Sequence, residues 1–362
     1  MQSFTLTTPK GERRIGPGEP CFLVAEMSGN HNQQYDKAVE IIRAAAKAGA
    51  DAIKLQTYTP DTMTIDSDKE WFVVQNKDNP DAWKGKSLYA LYQTAYTPWE
   101  WQPELKKIAE AEGLMFFSSP FDPTAVDFLE TLNVPCYKIA SYEATDVLLL
   151  RRVAETGKPV ILSVGFATRD EVDLAVCTLR ENGAGPIAIL HCVTGYAGEP
   201  DLDAMNLRIM HDIRDRYDVV AGFSDNNAGS DVPVIAACMG AAIIEKHFMI
   251  ARNEGGPDAR FSVQPNEFAQ MAARIREAER IMGTVRYGCQ SDQEKQNIFF
   301  RRSLFVVKDM KKGEWFTPDN VRSIRPSVGL PTKHYDAVIG KRATQDIERG
   351  TPVSWALVDT TV

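Results

Sequence analysis

Eight short, nearly continuous apolar runs recur along this chain, and most are followed by a stretch with apolar residues at helical spacing. The runs are Cys21 to Met27, Ala52 to Thr57, Leu114 to Ser119, the stretch beginning at Cys136, Pro159 to Gly165, Ile187 to Val193, Val219 to Asp225 and Ala242 to Phe248. Strands of this composition need cover on both faces, which is the situation of a parallel sheet wrapped by helices. Eight rounds of strand and helix predict an α/β fold, a (β/α)8 TIM barrel of about 250 residues. A doubly wound open sheet is the alternative. It calls for a glycine-rich phosphate turn after the first strand, and Glu26 to Asn32, E-M-S-G-N-H-N, does not have the form G-x-G-x-x-G.

Helices are expected over Asp36 to Ala48, Trp99 to Glu112, Pro123 to Leu132 and Pro265 to Met282, the first and last stopped by Gly49 and Gly283. Tyr58 to Thr97 breaks the rhythm. It is rich in Asp, Trp, Tyr and Lys and too long for a simple connection, which is the character of a loop that shapes a site. The polar residues before Cys21 fit a small hairpin or cap. The barrel is expected over residues 1–284, a polar linker over 285–300 and a second domain over 301–362. In that domain Arg301 to Glu314 reads as strand then turn, Thr317 to Pro326 as short helix then strand, and Asp346 to Val353 as turn then strand. A core of about 60 residues is marginal alone, so docking onto a barrel is expected.

The chain of 362 residues is 44% hydrophobic and 25% charged, with a net charge of −8. That balance argues for a globular core and against nucleic acid or an anionic membrane as the main partner. No apolar leader follows Met1 and no run reaches the roughly 18 residues of a membrane span, so the cytoplasm is the expected compartment. Six cysteines without a C-x-x-C pair give no disulfide framework and no zinc site.

The chemistry gathers at strand ends. In C-Y-K-I-A-S-Y-E (Cys136 to Glu143) a lysine sits inside an apolar strand, and A-I-K-L-Q-T (Ala52 to Thr57) repeats the feature with Lys54. A desolvated ammonium costs several kcal/mol unless an anion pairs with it. In a parallel barrel the C-terminal strand ends form the mouth. Glu26, Lys54, Gln56, Ser118, Ser119, Lys138, Ser141, Glu143, Ser163, Ser224, Asp225, Glu245, Lys246 and His247 could therefore surround a small phosphorylated and carboxylated ligand. Glu245 and Lys246 read equally well as interior or rim ion pairs, and Asp225 as a group that orients a neighbour.

The series A-E-M-S-G-N-H-N, I-K-L-Q-T-Y-T-P-D-T-M-T, F-S-S-P-F-D, Y-K-I-A-S-Y-E, I-L-S-V-G, I-E-K-H-F and G-P-D resembles the sialic acid synthase family over nearly the whole chain. The segment from Ile324 to Pro326 and beyond resembles its antifreeze-like (SAF, β-clip) domain. T-Y-T-P-D-T-M-T followed by S-L-Y-A-L-Y-Q-T-A-Y-T-P-W-E-W is most similar to the pseudaminic acid synthase branch. The resemblance implies a transferase that condenses phosphoenolpyruvate with an open-chain N-acylated amino sugar, releasing phosphate and a nonulosonic acid.

Matched by position, it implies that Lys54, Ser119, Lys138, Ser141, Ser163, Thr194, Tyr196 and Ser224 hold phosphoenolpyruvate. Thr194 stands where the family more often has Asn or Ser. Glu26, Gln56 and Asp258 would meet the sugar, Glu143 would position or deprotonate water, and Arg325 would reach the acyl group from the partner of a domain-swapped homodimer. The family's divalent metal, Mn2+ or Mg2+, is held by two histidines; here one is His247 and the other is replaced by Asn226, a poorer donor to manganese. Three readings stay open: a weaker site using Asn226, a site recruiting Asp225 or Glu199, and altered chemistry. A related phosphoenolpyruvate-condensing enzyme and a non-catalytic sugar-acid-binding homologue are the competing functions.

Overall fold

A computed structural model of the chain describes residues 3–75, 83–196 and 198–361. Part of the long insert, residues 76–82, lies outside the described residues. Packing divides the chain into two units, Met1–Gly283 and Thr284–Val362.

In the first unit the polar N-terminal stretch forms an antiparallel hairpin of β1 (Phe4–Thr8) and β2 (Gly11–Ile15). The eight apolar runs become β3 (Phe22–Glu26), β4 (Ala52–Thr57), β5 (Met115–Pro120), β6 (Tyr137–Ile139), β7 (Val160–Ser163), β8 (Ile187–Val193), β9 (Val220–Asp225) and β10 (Ile243–His247). Each pairs in parallel with the next, and β10 also pairs with β3, placing His247 opposite Glu26. This closure rules out the open sheet. Helices follow where the periodicity places them, among them Tyr35–Lys47, Gln102–Ala111, Pro123–Thr131 and Pro265–Met282. Asp122 caps one of these by accepting from the amides of Thr124 and Ala125.

The two-residue period of the strands explains how the barrel is filled. Outward residues such as Leu23, Ile53, Leu55, Phe116, Tyr137 and Leu162 pack under the helices in one large core. Inward residues Phe22, Val24, Ala52, Phe117, Cys136, Ile161, Leu190 and Ile243 form a separate cluster with Phe4, Leu6 and Ile15 of the hairpin. The hairpin therefore plugs the N-terminal end of the barrel. Two residues further along each strand the inward position turns polar: Glu26, Lys54, Ser119, Lys138, Ser163, Cys192 and Glu245, with Ser224 on β9. The same period turns Lys246 outward, where it is buried against Asp225 at 2.7 Å. Glu245 and Lys246 thus belong to two different ion pairs.

Four local expectations are corrected. The strand starting at Cys136 stops at Ile139, and Ser141–Glu143 form a 3-10 turn closed by the Glu143 amide on the Ala140 carbonyl. The chain turns there because the following helix, Val147–Ala154, begins almost at once on its Asp146 cap. In the second unit, β11 (Ser303–Val306) and β12 (Val321–Ile324) pair antiparallel around a core that includes Leu304, Val306, Phe316, Val338 and Val353. Thr317 opens a turn there and not a helix, its amide bonded to the Asn320 side chain. Residues 346–353 contribute only isolated bridges, Met310 to Ile347 and Phe305 to Pro352. A helix, Asp292–Asn297, interrupts the stretch read as a polar linker. Among the described residues no helix is long and apolar enough to cross a membrane.

Candidate active site

At the C-terminal end of the barrel the two strand lysines meet. Lys54 is 3% and Lys138 2% exposed. Lys54 Nζ lies 2.5 Å from Glu26 Oε2 and 3.7 Å from Glu245 Oε1, and donates to Ser119 Oγ at 3.2 Å. Lys138 Nζ lies 3.6 Å from the same Glu245 oxygen and, among the described residues, donates only to the Ile139 carbonyl, at 3.3 Å. Ser224 Oγ donates to Glu245 at 3.0 Å. Burial works against charge on both ammonium groups. For Lys54 the Glu245 and Glu26 carboxylates outweigh it and the pKa rises; for Lys138 burial wins and the pKa falls. An ammonium with three donors, one of them used, in a buried pocket invites an anion.

Above this layer opens a cavity of about 380 Å³. Gln56, Lys54, Lys138, Ser163, Ser224 and His247 line it from the strands, with Ser141 and Glu143 from the turn after β6 and Thr194, Tyr196, Asn226 and Asp258 from the segments that follow strands. Ser163 Oγ is buried without a hydrogen-bond partner, as is Glu143 Oε2. Gly165 comes so close that a Cβ there would meet Ser141 Oγ at 2.9 Å, and its amide donates to that oxygen at 3.1 Å. Burial pushes the Glu143 carboxyl up to about 7, opposed by the Lys138 charge; burial does the same to Glu26, against Lys54.

Most of the residues proposed from sequence are therefore neighbours. Glu26 and Ser119 do not line the cavity but hold Lys54 from behind. Arg325 follows β12 in the second unit and is described there alone. Three features escaped the sequence: Glu245 as the carboxylate shared by both lysines, Cys192 on the cavity floor, and the aromatic wall of Tyr58, Trp83, Tyr92 and Tyr142. The aromatic richness of the long insert was the signal for most of that wall. Trp83 shows how the insert is held, donating from its indole to the Pro257 carbonyl at 2.9 Å and meeting Tyr196 edge-on.

Among the described residues no group of three or more His, Cys, Asp and Glu side chains is placed to hold a metal ion. Two donors nevertheless face the cavity. His247 keeps a buried Nδ1 without a partner, and burial, helped by Lys54, drives its pKa down to about 3, so the imidazole is neutral as a ligand must be. Asn226 donates its amide nitrogen to Cys192 Sγ at 3.3 Å, which leaves its carbonyl oxygen available. This donor set fits a divalent cation that takes its other ligands from substrate and water.

The NeuB family model matches residues 41–287, and the SAF domain model matches residues 301–359. The chain belongs to the NeuB family. It is 40% identical over 330 residues to a pseudaminic acid synthase of Campylobacter jejuni, covering 91% of this chain and 94% of that one. It is 39% identical to the pseudaminic acid synthase of Helicobacter pylori, covering 93% and 97%. Among solved structures, an N-acetylneuraminic acid synthetase from Leptospira borgpetersenii in complex with citrate superposes with a TM-score of 0.69 at 29% identity, covering 82% of this chain and 95% of that one. The NeuB match thus spans strands β4 to β10, and both lysines lie within it.

The raised Glu143 carboxyl has a thermodynamic consequence. Unfolded, it titrates near 4.5; folded, it holds its proton to about 7. Between those values the folded chain binds more protons, so the contribution is complete below 4.5 and lost as pH rises through 7. Denaturant midpoints measured across pH 4 to 8 should show wild type losing ground against Glu143→Gln over that window. Parallel profiles would show that Glu143 is an ordinary carboxylate.

Proposed function

We propose that this chain joins phosphoenolpyruvate to an open-chain N-acylated amino sugar, giving phosphate and a nonulosonic acid of the pseudaminic acid type. The observation that carries this reading is the pair of buried lysines at the barrel mouth, Lys138 with donors to spare, in a NeuB-family chain. The two ammonium groups would hold the phosphate and carboxylate, with Ser141, Ser163, Thr194, Tyr196 and Ser224 fixing oxygens and Ser119 steadying Lys54.

Carbon 3 of phosphoenolpyruvate attacks the sugar aldehyde, forming a carbon–carbon bond while the aldehyde oxygen takes a proton. Water then adds at carbon 2, and the carbon 2 to oxygen bond to phosphate breaks to leave the keto acid. Glu143 is suited to take the water's proton, since its carboxyl exchanges near neutrality. Gln56 and Asp258, which line the cavity, would meet the sugar, and Glu26, buried behind Lys54, would act on the site through that lysine. Exclusion of water by the aromatic wall strengthens each of these polar contacts. His247 and Asn226 would hold a divalent cation, Mn2+ or Mg2+, which supplies Lewis acidity toward the aldehyde oxygen when bound.

A phosphate-release assay with phosphoenolpyruvate and a panel of N-acylated amino sugars tests the reading. Turnover with at least one sugar is expected, lost to chelator and restored by Mn2+ or Mg2+, with Asn226→His lowering the Mn2+ concentration needed. No phosphate release with any sugar would reject the reaction, and full turnover in excess chelator would reject the metal.

The second unit bears Arg325, which we assign to the sugar's acyl group in the partner of a swapped homodimer. Mixing Arg325→Ala with Glu143→Gln should restore activity, because each exchanged dimer then holds one intact site. Subunit exchange without recovery would place Arg325 in its own chain's site or in none.

A further inference from the structure

The turn after β3 holds a serine in a backbone that suits glycine. Ser28 has φ 49° and is 2% exposed. A side chain in the left-handed region costs energy that glycine avoids, and such strain marks positions where the side chain has a use. The turn does not depend on Ser28 for its shape. Its ends are tied by the Met27 amide to the Lys54 carbonyl and the Asn30 amide to the Met27 carbonyl. Asn30 pins it further by donating to the Phe248 carbonyl at 3.0 Å and to Ser262 Oγ at 2.9 Å.

The hydroxyl instead joins two residues of the cavity wall. Ser28 Oγ accepts from Gln56 Nε2 at 2.8 Å. In the same turn the Gly29 amide donates to Asp258 Oδ2 at 3.1 Å; burial raises the Asp258 carboxyl's pKa, and the Ser28 hydroxyl and that amide oppose the rise. An amide has one donor end and one acceptor end. With its nitrogen donating to Ser28, Gln56, which lines the cavity, has its carbonyl oxygen left as the end for a ligand.

We propose that Ser28 is a specificity-determining positioning residue: by holding Gln56 and Asp258 it turns that wall into two hydrogen-bond acceptors, which read donors on the sugar, an amide N–H beside a hydroxyl. This rests on the reaction proposed above and adds what sets its sugar selectivity. A site built to accept a donor rejects an analogue without one, because the acceptor is left unpaired.

The test uses the sugar found in the phosphate-release assay and its N-methylated amide analogue, which lacks the N–H. Ser28→Gly suits the left-handed backbone and should unfold at the same temperature as wild type or higher; Ser28→Ala keeps a Cβ and removes only the hydroxyl. Both should raise the sugar KM about tenfold, the cost of one such hydrogen bond. Both should lower the preference for the N–H sugar over its analogue and leave the phosphoenolpyruvate KM unchanged. Variants with wild-type sugar KM and selectivity, in an enzyme that turns over, would overturn this inference alone. A rise in both substrates' KM would reduce Ser28 to a structural residue. A wild-type protein without turnover on any sugar would overturn the reaction and this inference with it.

Discussion

Two ammonium groups held out of water at one end of a closed barrel set the terms for the rest of the site. Each costs several kcal/mol to bury unless carboxylates and hydrogen bonds replace its hydration. Glu26 and Ser119 do this for Lys54, and Glu245 lies within 4 Å of both lysines. The arrangement is lopsided. Lys138 shares a carboxylate and has one carbonyl, so positive charge is left facing the cavity, and Ser163 and Glu143 add buried polar atoms without partners. A pocket with such groups is stable enough to fold and poor enough in contacts to bind.

The barrel carries that cost because its two ends do different work. At the N-terminal end the hairpin fills the interior with Phe4, Leu6 and Ile15, so apolar packing is complete two residues below the charges. At the other end the loops supply the chemistry, on strands whose positions the closed hydrogen-bonded ring fixes. Ser28 shows the same division on a smaller scale. Its turn is anchored by Asn30 and backbone bonds, which leaves its hydroxyl free to orient Gln56 and Asp258.

Much of this was legible in the sequence because strand period and strand burial are local properties. Eight apolar runs read as a barrel, and a lysine inside such a run can only face the interior or pair on the outside. What the sequence could not decide was which: Lys138 turns inward and Lys246 outward, and only the register against neighbouring strands separates them. Glu245 was ambiguous for the same reason. Ser141 and Glu143 read as the end of a strand and lie in the turn after it, since nothing local distinguishes a strand's last residue from the turn that follows. The small unit is least legible. Its core depends on bridges between distant segments, Met310 with Ile347 and Phe305 with Pro352, which carry no periodic signal.

At the centre stands the pair of buried lysines, which we propose as the anion site for phosphoenolpyruvate. Calorimetric titration of phosphoenolpyruvate into wild type and Lys138→Met, with circular dichroism to confirm that both are folded, tests it most directly. Loss of a buried charge-assisted contact predicts a fall in affinity of roughly tenfold or more in the variant, with the fold unchanged. Equal affinity in the two folded proteins would contradict it.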